Sequence, residues 1–282
     1  MTYSIVARDA ATGELGVAVQ SRAFRAGGGV GWALPGVGAI ASQAFSERSY
    51  GPLGLELLQA GKTPEQALAG LVAADPESAV RQVAVVDAAG RTAVHTGADC
   101  IREAGHQTGD GYTVQANMMR NAEVWPAMAE AFEAAEGSLA RRLLAALDAA
   151  EASGGDWRGR QAGGILVVAA EGKPWERVSD LRVDDHPEPL DELRRLLDLE
   201  DGYRAFTLTA ERGAAARAGG LSELDVRWAE IVDAAQAGDP ARARELLSPL
   251  LAEEPRWADY ARAIAGRGFL PHVDALLRPE TD

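Results

Sequence analysis

MTYSIVARDAATGELGVAVQSR (residues 1–22) decides the fold. Residues 3–8 and 14–20 suit strands, and Asp9-Ala10-Ala11-Thr12-Gly13 between them is turn-forming. That pattern predicts a β-hairpin. Antiparallel pairing about the turn sets opposite residues whose numbers sum to about 22. Thr2 is therefore expected beside Gln20, with Ser21 and Arg22 just past it. If Met1 is removed, Thr2 carries an α-amine and a hydroxyl on one residue, the minimal equipment of an N-terminal nucleophile.

Working outward, the glycine-rich Gly27-Gly28-Gly29 lacks the lysine and serine or threonine of a phosphate loop and reads as a flexible or strained turn. Residues 30–34 and 37–45 flank Pro35-Gly36 and predict a second hairpin. Helices are expected over 50–59 and from Thr63-Pro64-Glu65-Gln66, where Thr63 and Gln66 can form a capping box. Residues 81–87 and 91–95 predict a third hairpin, 100–110 a polar loop, and 112–118 a further strand. Helical spacing returns over 123–135 and 139–152, followed by the continuous apolar strand 163–169. Hairpins exclude an all-parallel sheet. Two antiparallel sheets packed together, each covered by a helical layer, satisfy both hairpins and helix pairs. The expected fold class is thus α+β, a four-layer αββα sandwich over residues 1–183 with an all-helical C-terminal extension. Residues 184–221 read as a linker with a short helix over 190–199, and 222–282 as the helical extension, with helices over 222–238, 239–253 and 256–267.

Composition narrows the function classes. Hydrophobic residues make up 47% of the 282, enough for a sizeable core. A formal charge of −14 argues against binding nucleic acid or an anionic membrane by net attraction. Cys100 is the only cysteine, so no internal disulfide forms, which fits a reducing compartment. No stretch approaches the roughly 20 apolar residues of a membrane span, and the N-terminus lacks a signal peptide's basic start and apolar core. The expected location is cytoplasmic.

Four groups of residues are candidates for chemistry. Thr2 can act as nucleophile with its own amine as base, since an α-amine has a reference pKa of about 7.7–8.0; equally, many chains begin Met-Thr before a strand. Arg22, with Gln20 and Ser21, can hold a substrate carboxylate or simply end a strand at the surface. His106, Asp110, Gln115 and Asn117 form a polar cluster; Thr113, Gln115 and Asn117 alternate along one strand face, where amides serve as oxyanion donors or as a satisfied buried ladder. Asp156-Trp157-Arg158-Gly159-Arg160-Gln161 precedes the apolar strand as a substrate clamp or an ion-paired loop. His95 and His106 lack metal-ligand spacing, so neither a metal nor another cofactor is expected. No Gly-x-Ser-x-Gly elbow occurs, and Cys100 reads as a small buried side chain.

These residues also resemble a known family. Thr2 to Asp9, Gly13 to Val19, Ser21-Arg22, Ser49-Tyr50-Gly51, Arg81-Gln82-Val83, Gly97, Gly105-His106, Gln115-Ala116-Asn117-Met118 and Gly155 to Gln161 resemble the bacterial domain of unknown function 1028. The resemblance implies the Ntn-hydrolase fold and amide-bond cleavage by an N-terminal Thr, Ser or Cys. Thr2 fits the nucleophile position, and Gln20-Ser21-Arg22 falls where supporting polar residues stand. The only lysines, Lys62 and Lys173, lie off the expected central strands, and Gln20 replaces the expected aspartate. The resemblance further implies a C-terminal segment of peptidoglycan-binding type, matched by Val226-Arg227-Trp228 and Gly266 to Pro271.

The leading expectation is an amide (C–N bond) hydrolase acting on a small-molecule substrate. Its catalytic residues are Thr2, Arg22 and Asn117, with Gln20, Ser21, His106, Gln115, Asp156 and Arg158 binding substrate. A non-catalytic oligomer holding a small ligand in the same cleft, and a cell-wall binder, are the alternatives. A homodimer or higher homo-oligomer is expected, with no nucleic acid or membrane partner.

Overall fold

The computed structural model describes residues 2–209 and 211–278. Strands β1 (Thr2–Arg8) and β2 (Leu15–Ser21) pair antiparallel as the opening stretch predicts. Asp9 makes the turn. Its Oδ1 accepts hydrogen bonds from the N–H groups of Ala11 and Thr12 at 2.9 and 2.8 Å, and Gly13 supplies a φ of +75°. Arg142 Nη1 donates to Asp9 Oδ2 at 3.0 Å, tying the turn to a helix. The register differs from expectation by one residue: Thr2 lies opposite Ser21, and Gln20 lies opposite Tyr3.

Burial acts to raise the Asp9 pKa, but the Thr12 and Ala11 hydrogen bonds and the Arg142 charge outweigh it and hold the carboxyl below its usual range. A carboxyl depressed in the folded state stabilises the fold above its unfolded pKa of about 3.9, and that contribution is lost as pH falls through the lower folded value. Urea midpoints of the wild type should therefore fall between about pH 5 and pH 2, and those of Asp9→Ala should fall less.

The remaining strands are β3 (Gly31–Leu34), β4 (Gly38–Ala44), β5 (Arg81–Asp87), β6 (Thr92–Thr96), β7 (Gly105–Gly109), β8 (Tyr112–Asn117), β9 (Ala162–Val168) and β10 (Ser179–Val183). They form a six-stranded sheet, β10-β9-β2-β1-β8-β7, and a four-stranded sheet, β3-β4-β5-β6, with every neighbouring pair antiparallel. Strand alternation splits the apolar residues into three cores. Tyr3, Ile5, Ala18 and Ile165 point to one face, against α3 (Val124–Ala134) and α4 (Leu139–Ala152). Val6, Val17 and Val19 point to the other, against Ala39, Ala41, Ala84 and Val86 of the four-stranded sheet. The outer face of that second sheet, with Ile40, Val83 and Val85, packs on α1 (Tyr50–Gln59) and α2 (Pro64–Ala74). The sheets approach closely at Gly31, where a Cβ would lie 2.2 Å from Val17 Cγ1.

Thr63 and Gln66 form the expected capping box at the start of α2. Two strands depart from expectation. The polar segment read as loop contains β7, and the expectation has no β10; both are edge strands whose ladder bonds come from a neighbour.

The chain divides into two compact units, Met1–Leu197 and Asp198–Asp282. The division falls within α5 (Pro189–Leu208), which is twice the length of the helix expected over 190–199. The second unit continues with α6 (Arg212–Ala218), α7 (Glu223–Gln236), α8 (Pro240–Glu253), α9 (Trp257–Ala265) and α10 (Val273–Leu276). Ser222 and Asp239 cap α7 and α8 as read from the residues. Its core gathers Ile231, Val232, Ala243, Leu247 and Leu250, with Trp228, Trp257 and Tyr260 in mutual ring contact. No helix among the described residues is long and apolar enough to cross a membrane.

Candidate active site

The site begins at the end of β1. Three adjacent strands place Asn117, Thr2 and Ser21 side by side in one row, on the face turned toward the second sheet. All three are buried. Thr2 Oγ1 donates to Ser21 Oγ at 3.0 Å. The Thr2 carbonyl accepts from Gln43 Nε2 at 3.2 Å and Asn117 Nδ2 at 3.3 Å. Two donors on one carbonyl, with a hydroxyl partner on the side chain, fix the orientation of this residue.

Behind Thr2 lies a network of uncharged groups. Gln43 on β4 accepts from Ser4 Oγ at 2.6 Å and donates to Gln82 Oε1 at 2.7 Å. Asn117 Nδ2 also donates to Gln82 Oε1, at 2.9 Å. Gln115 Nε2 donates to Ser4 Oγ at 2.6 Å, and Thr113 Oγ1 donates to Gln115 Oε1 at 3.3 Å. Gln82 Nε2 reaches the Ala116 carbonyl at 2.9 Å and Thr96 Oγ1 at 3.0 Å. Buried amides paired in this way orient one another and avoid the penalty of an unpaired polar group. The amides carry no ionisable group, so they orient Thr2 and do not serve it as a base.

His106 stands at its rim. Its Nδ1 lies 2.8 Å from Thr96 Oγ1, on an edge strand two positions from β1, roughly 10 Å away at sheet spacing. Partial burial, then His95, lowers its pKa, which favours the neutral ring.

The one-residue difference in register sends Gln20 to the helix-covered face. Its side chain is fully buried, and neither amide atom has a hydrogen-bond partner among the described residues. Arg22 is exposed and its Nη1 donates to Gln161 Oε1 at 2.5 Å. It does not line the cavity beside Thr2. Asp156 is buried, accepting from Arg158 Nη2 at 2.7 Å and from the backbone N–H of Arg158 at 2.9 Å and Arg22 at 3.4 Å. Arg160 pairs with Glu188 and Glu151, and Gln161 with Asp185. The charged side chains of this loop are thus ion-paired, and the loop reaches the residue after β2 through Asp156 and Gln161.

The structure thus brings together Thr2, Ser21, Gln115 and Asn117 of the expected residues, and leaves Gln20, Arg22, His106, Asp156 and Arg158 outside that cluster. Gln43 and Gln82 are the residues that sequence reading missed. Their signal is an amide at an inward position of an otherwise apolar strand. No group of three or more His, Cys, Asp or Glu able to hold a metal occurs among the described residues.

A cavity of about 140 Å³ opens in front of Thr2, with Ser21 and Gln43 in its wall. The fold and this site define a mixed α+β protein with two facing antiparallel sheets and an amide-supported threonine at a strand end. A family model described as a family of unknown function, DUF1028, matches residues 2–193, and the chain belongs to that family. A crystal structure of a Silicibacter pomeroyi protein assigned to the same family aligns at 33% identity and TM-score 0.65, covering 76% of this chain and 89% of that one. Anbu, an ancestral beta-subunit from Yersinia bercovieri, aligns at 12% identity and TM-score 0.34 over 73% of this chain and 97% of that one, a likeness too slight to bear on this chain. No curated protein matches.

Proposed function

We propose that this protein is an N-terminal-nucleophile amide hydrolase acting on a small C–N substrate, and that its stacked helices and sheets form the four-layer αββα sandwich of the Ntn type. The observation that carries this reading is the setting of Thr2. It ends a central strand, its hydroxyl is held by Ser21, its carbonyl by Gln43 and Asn117, and it borders a cavity.

With Met1 removed, the Thr2 α-amine takes the Oγ1 proton as Oγ1 adds to the substrate carbonyl carbon. The amine then passes that proton to the leaving nitrogen as the C–N bond breaks, leaving a threonyl ester. Water, giving its proton to the same amine, cleaves the ester to acid and free Thr2. Ser21 can rotate its hydroxyl to donate to Oγ1 once the Thr2 hydrogen has turned toward the amine. Both amide hydrogens of Asn117 are engaged, with the Thr2 carbonyl and Gln82 Oε1, so Asn117 is a positioning residue in this scheme.

Intact mass of the purified full chain, combined with hydrolysis assays on a panel of small amides, tests the proposal. Loss of Met1 and turnover that disappears in Thr2→Ala are expected. Retention of Met1 would sink the idea, and turnover undiminished in Thr2→Ala would do the same. The homo-oligomer expected from the sequence is part of this reading, and a monomer in light scattering would remove it.

A further inference from the structure

Acidic residues outnumber basic ones 42 to 28 in this chain, yet the described residues lining the cavity in front of Thr2 include two arginines, Arg25 and Arg48, and no carboxylate. Arg48 is exposed, and its guanidinium forms no hydrogen bond or ion pair with another described residue. Neighbouring Glu47 turns to the Ser49 N–H instead, at 2.9 Å. Arg25 lies 3.7 Å from Asp184, with both side chains about half exposed or more, a weak pairing in water.

The backbone around the cavity is shaped for this arrangement. Gly29 is part of the lining, and a Cβ there would lie 2.8 Å from Arg48 Nη2. The glycine therefore leaves room for the guanidinium in the position it takes here. Arg25 and Ala44, both in the lining, adopt left-handed φ values of 63° and 68°, which side chains with a Cβ rarely take. Strain of this kind collects where the surrounding structure holds a site in shape. At about 140 Å³ the cavity is well below the roughly 300 Å³ at which pockets begin to hold drug-sized ligands.

We infer that Arg48, with Arg25, anchors an oxyanion group of the substrate, so that the site accepts small amides carrying a carboxylate or phosphonate next to the scissile C–N bond. This inference rests on the hydrolase reading for the reaction but not for the binding. A guanidinium offers parallel N–H donors that match either oxyanion. The side chains of Thr2, Ser21 and Gln43 are neutral, which leaves the arginines as the charged side chains of the lining available to it.

Calorimetric titration of the full-length Thr2→Ala protein separates binding from turnover. The probes are N-acetylglycine, its phosphonate counterpart N-acetylaminomethylphosphonate, and neutral N-acetylglycinamide. Binding of at least one anionic probe and tenfold or weaker binding of the neutral one are expected, and the stronger of the two anions identifies the oxyanion. Arg48→Met should weaken anion binding by about 10- to 100-fold, the range for a lost charge-assisted hydrogen bond. Gly29→Ala should weaken it too, by displacing the guanidinium without removing its charge, and Arg48→Lys should restore part of it. Equal binding of charged and neutral probes, binding of none, or anion binding unchanged in both Arg48→Met and Gly29→Ala overturns the inference. Anion selectivity in a wild-type protein that cleaves no amide would leave the anchor standing and remove the hydrolase reading. Cleavage of neutral and anionic amides alike would do the reverse.

Discussion

Thr2→Ala should lower amide hydrolysis by about 10⁴-fold or more, the scale on which loss of a catalytic nucleophile is felt. The expectation follows from the isolation of the residue. Ser21 is its hydroxyl neighbour in the row, the groups that hold the Thr2 carbonyl are the amides of Gln43 and Asn117, and neither Ser21 nor Ser46, the other hydroxyl of the cavity lining, carries an α-amine to act as its base. The fold should survive, because the substitution removes one buried hydroxyl–hydroxyl bond worth about 1 kcal/mol and leaves the Thr2 carbonyl and both its donors in place. Thr2→Ser should retain turnover, since it keeps the hydroxyl and the amine. An uncleaved extension before Thr2 should abolish turnover although every side chain is present, because acylation removes the base. Circular dichroism alongside kinetics distinguishes loss of chemistry from loss of structure. If the extended protein hydrolyses amides as well as the native chain does, the terminal amine is not the base.

Gln43→Leu should destabilise the protein by about 2–4 kcal/mol and impair the site with it. Gln43 spans the gap between the two sheets, accepting from Ser4 and donating toward the Thr2 carbonyl, Gln82 and the Gln115 carbonyl. Leucine has a similar size but none of these bonds. The Ser4 hydroxyl hydrogen would lose its acceptor in a fully buried position, and the Thr2 carbonyl would keep only Asn117. A domain stable by roughly 5–15 kcal/mol feels such a loss strongly. The urea midpoint should fall with little change in slope, the mark of altered stability with an unaltered extent of unfolding. Ser4→Ala should cost less, and the double variant should cost less than the sum by at least about 0.5 kcal/mol, because both changes break the same bond. Strict additivity would show that the two groups do not act as a network.

The opening hairpin was legible because a turn-former cluster separates two strand-like runs, and the Asp9 side chain closes that turn through bonds to its immediate neighbours. The helix pairs and their caps were legible for the same reason, since capping and 3.6-residue spacing are local. The register was not. Counting from the centre of the turn misses by one residue, and in a strand one residue exchanges the faces. That slip accounts for both errors at the second strand: Ser21, and not Gln20, stands beside Thr2, while Gln20 is buried under the helices. Edge strand β7 escaped because Gly-His-Gln-Thr-Gly has no apolar alternation, and β10 because its alternation, Leu181 and Val183 between Asp180 and Arg182, is confined to five residues. Arg22 misled because a side chain at a strand end takes its direction from what the neighbouring loop offers, here Gln161.

The amino-acid sequence by itself determined the antiparallel hairpins, the two helix pairs and the place of Thr2 at a strand end, because each depends on residues close together along the chain. Only the tertiary structure decided which polar side chains meet Thr2. Gln43 comes from the opposing sheet with Gln82 behind it, and Arg25 and Arg48 reach the cavity from two separate loops. Those meetings are set by strand register and by the packing of one sheet on another, which no local spacing encodes.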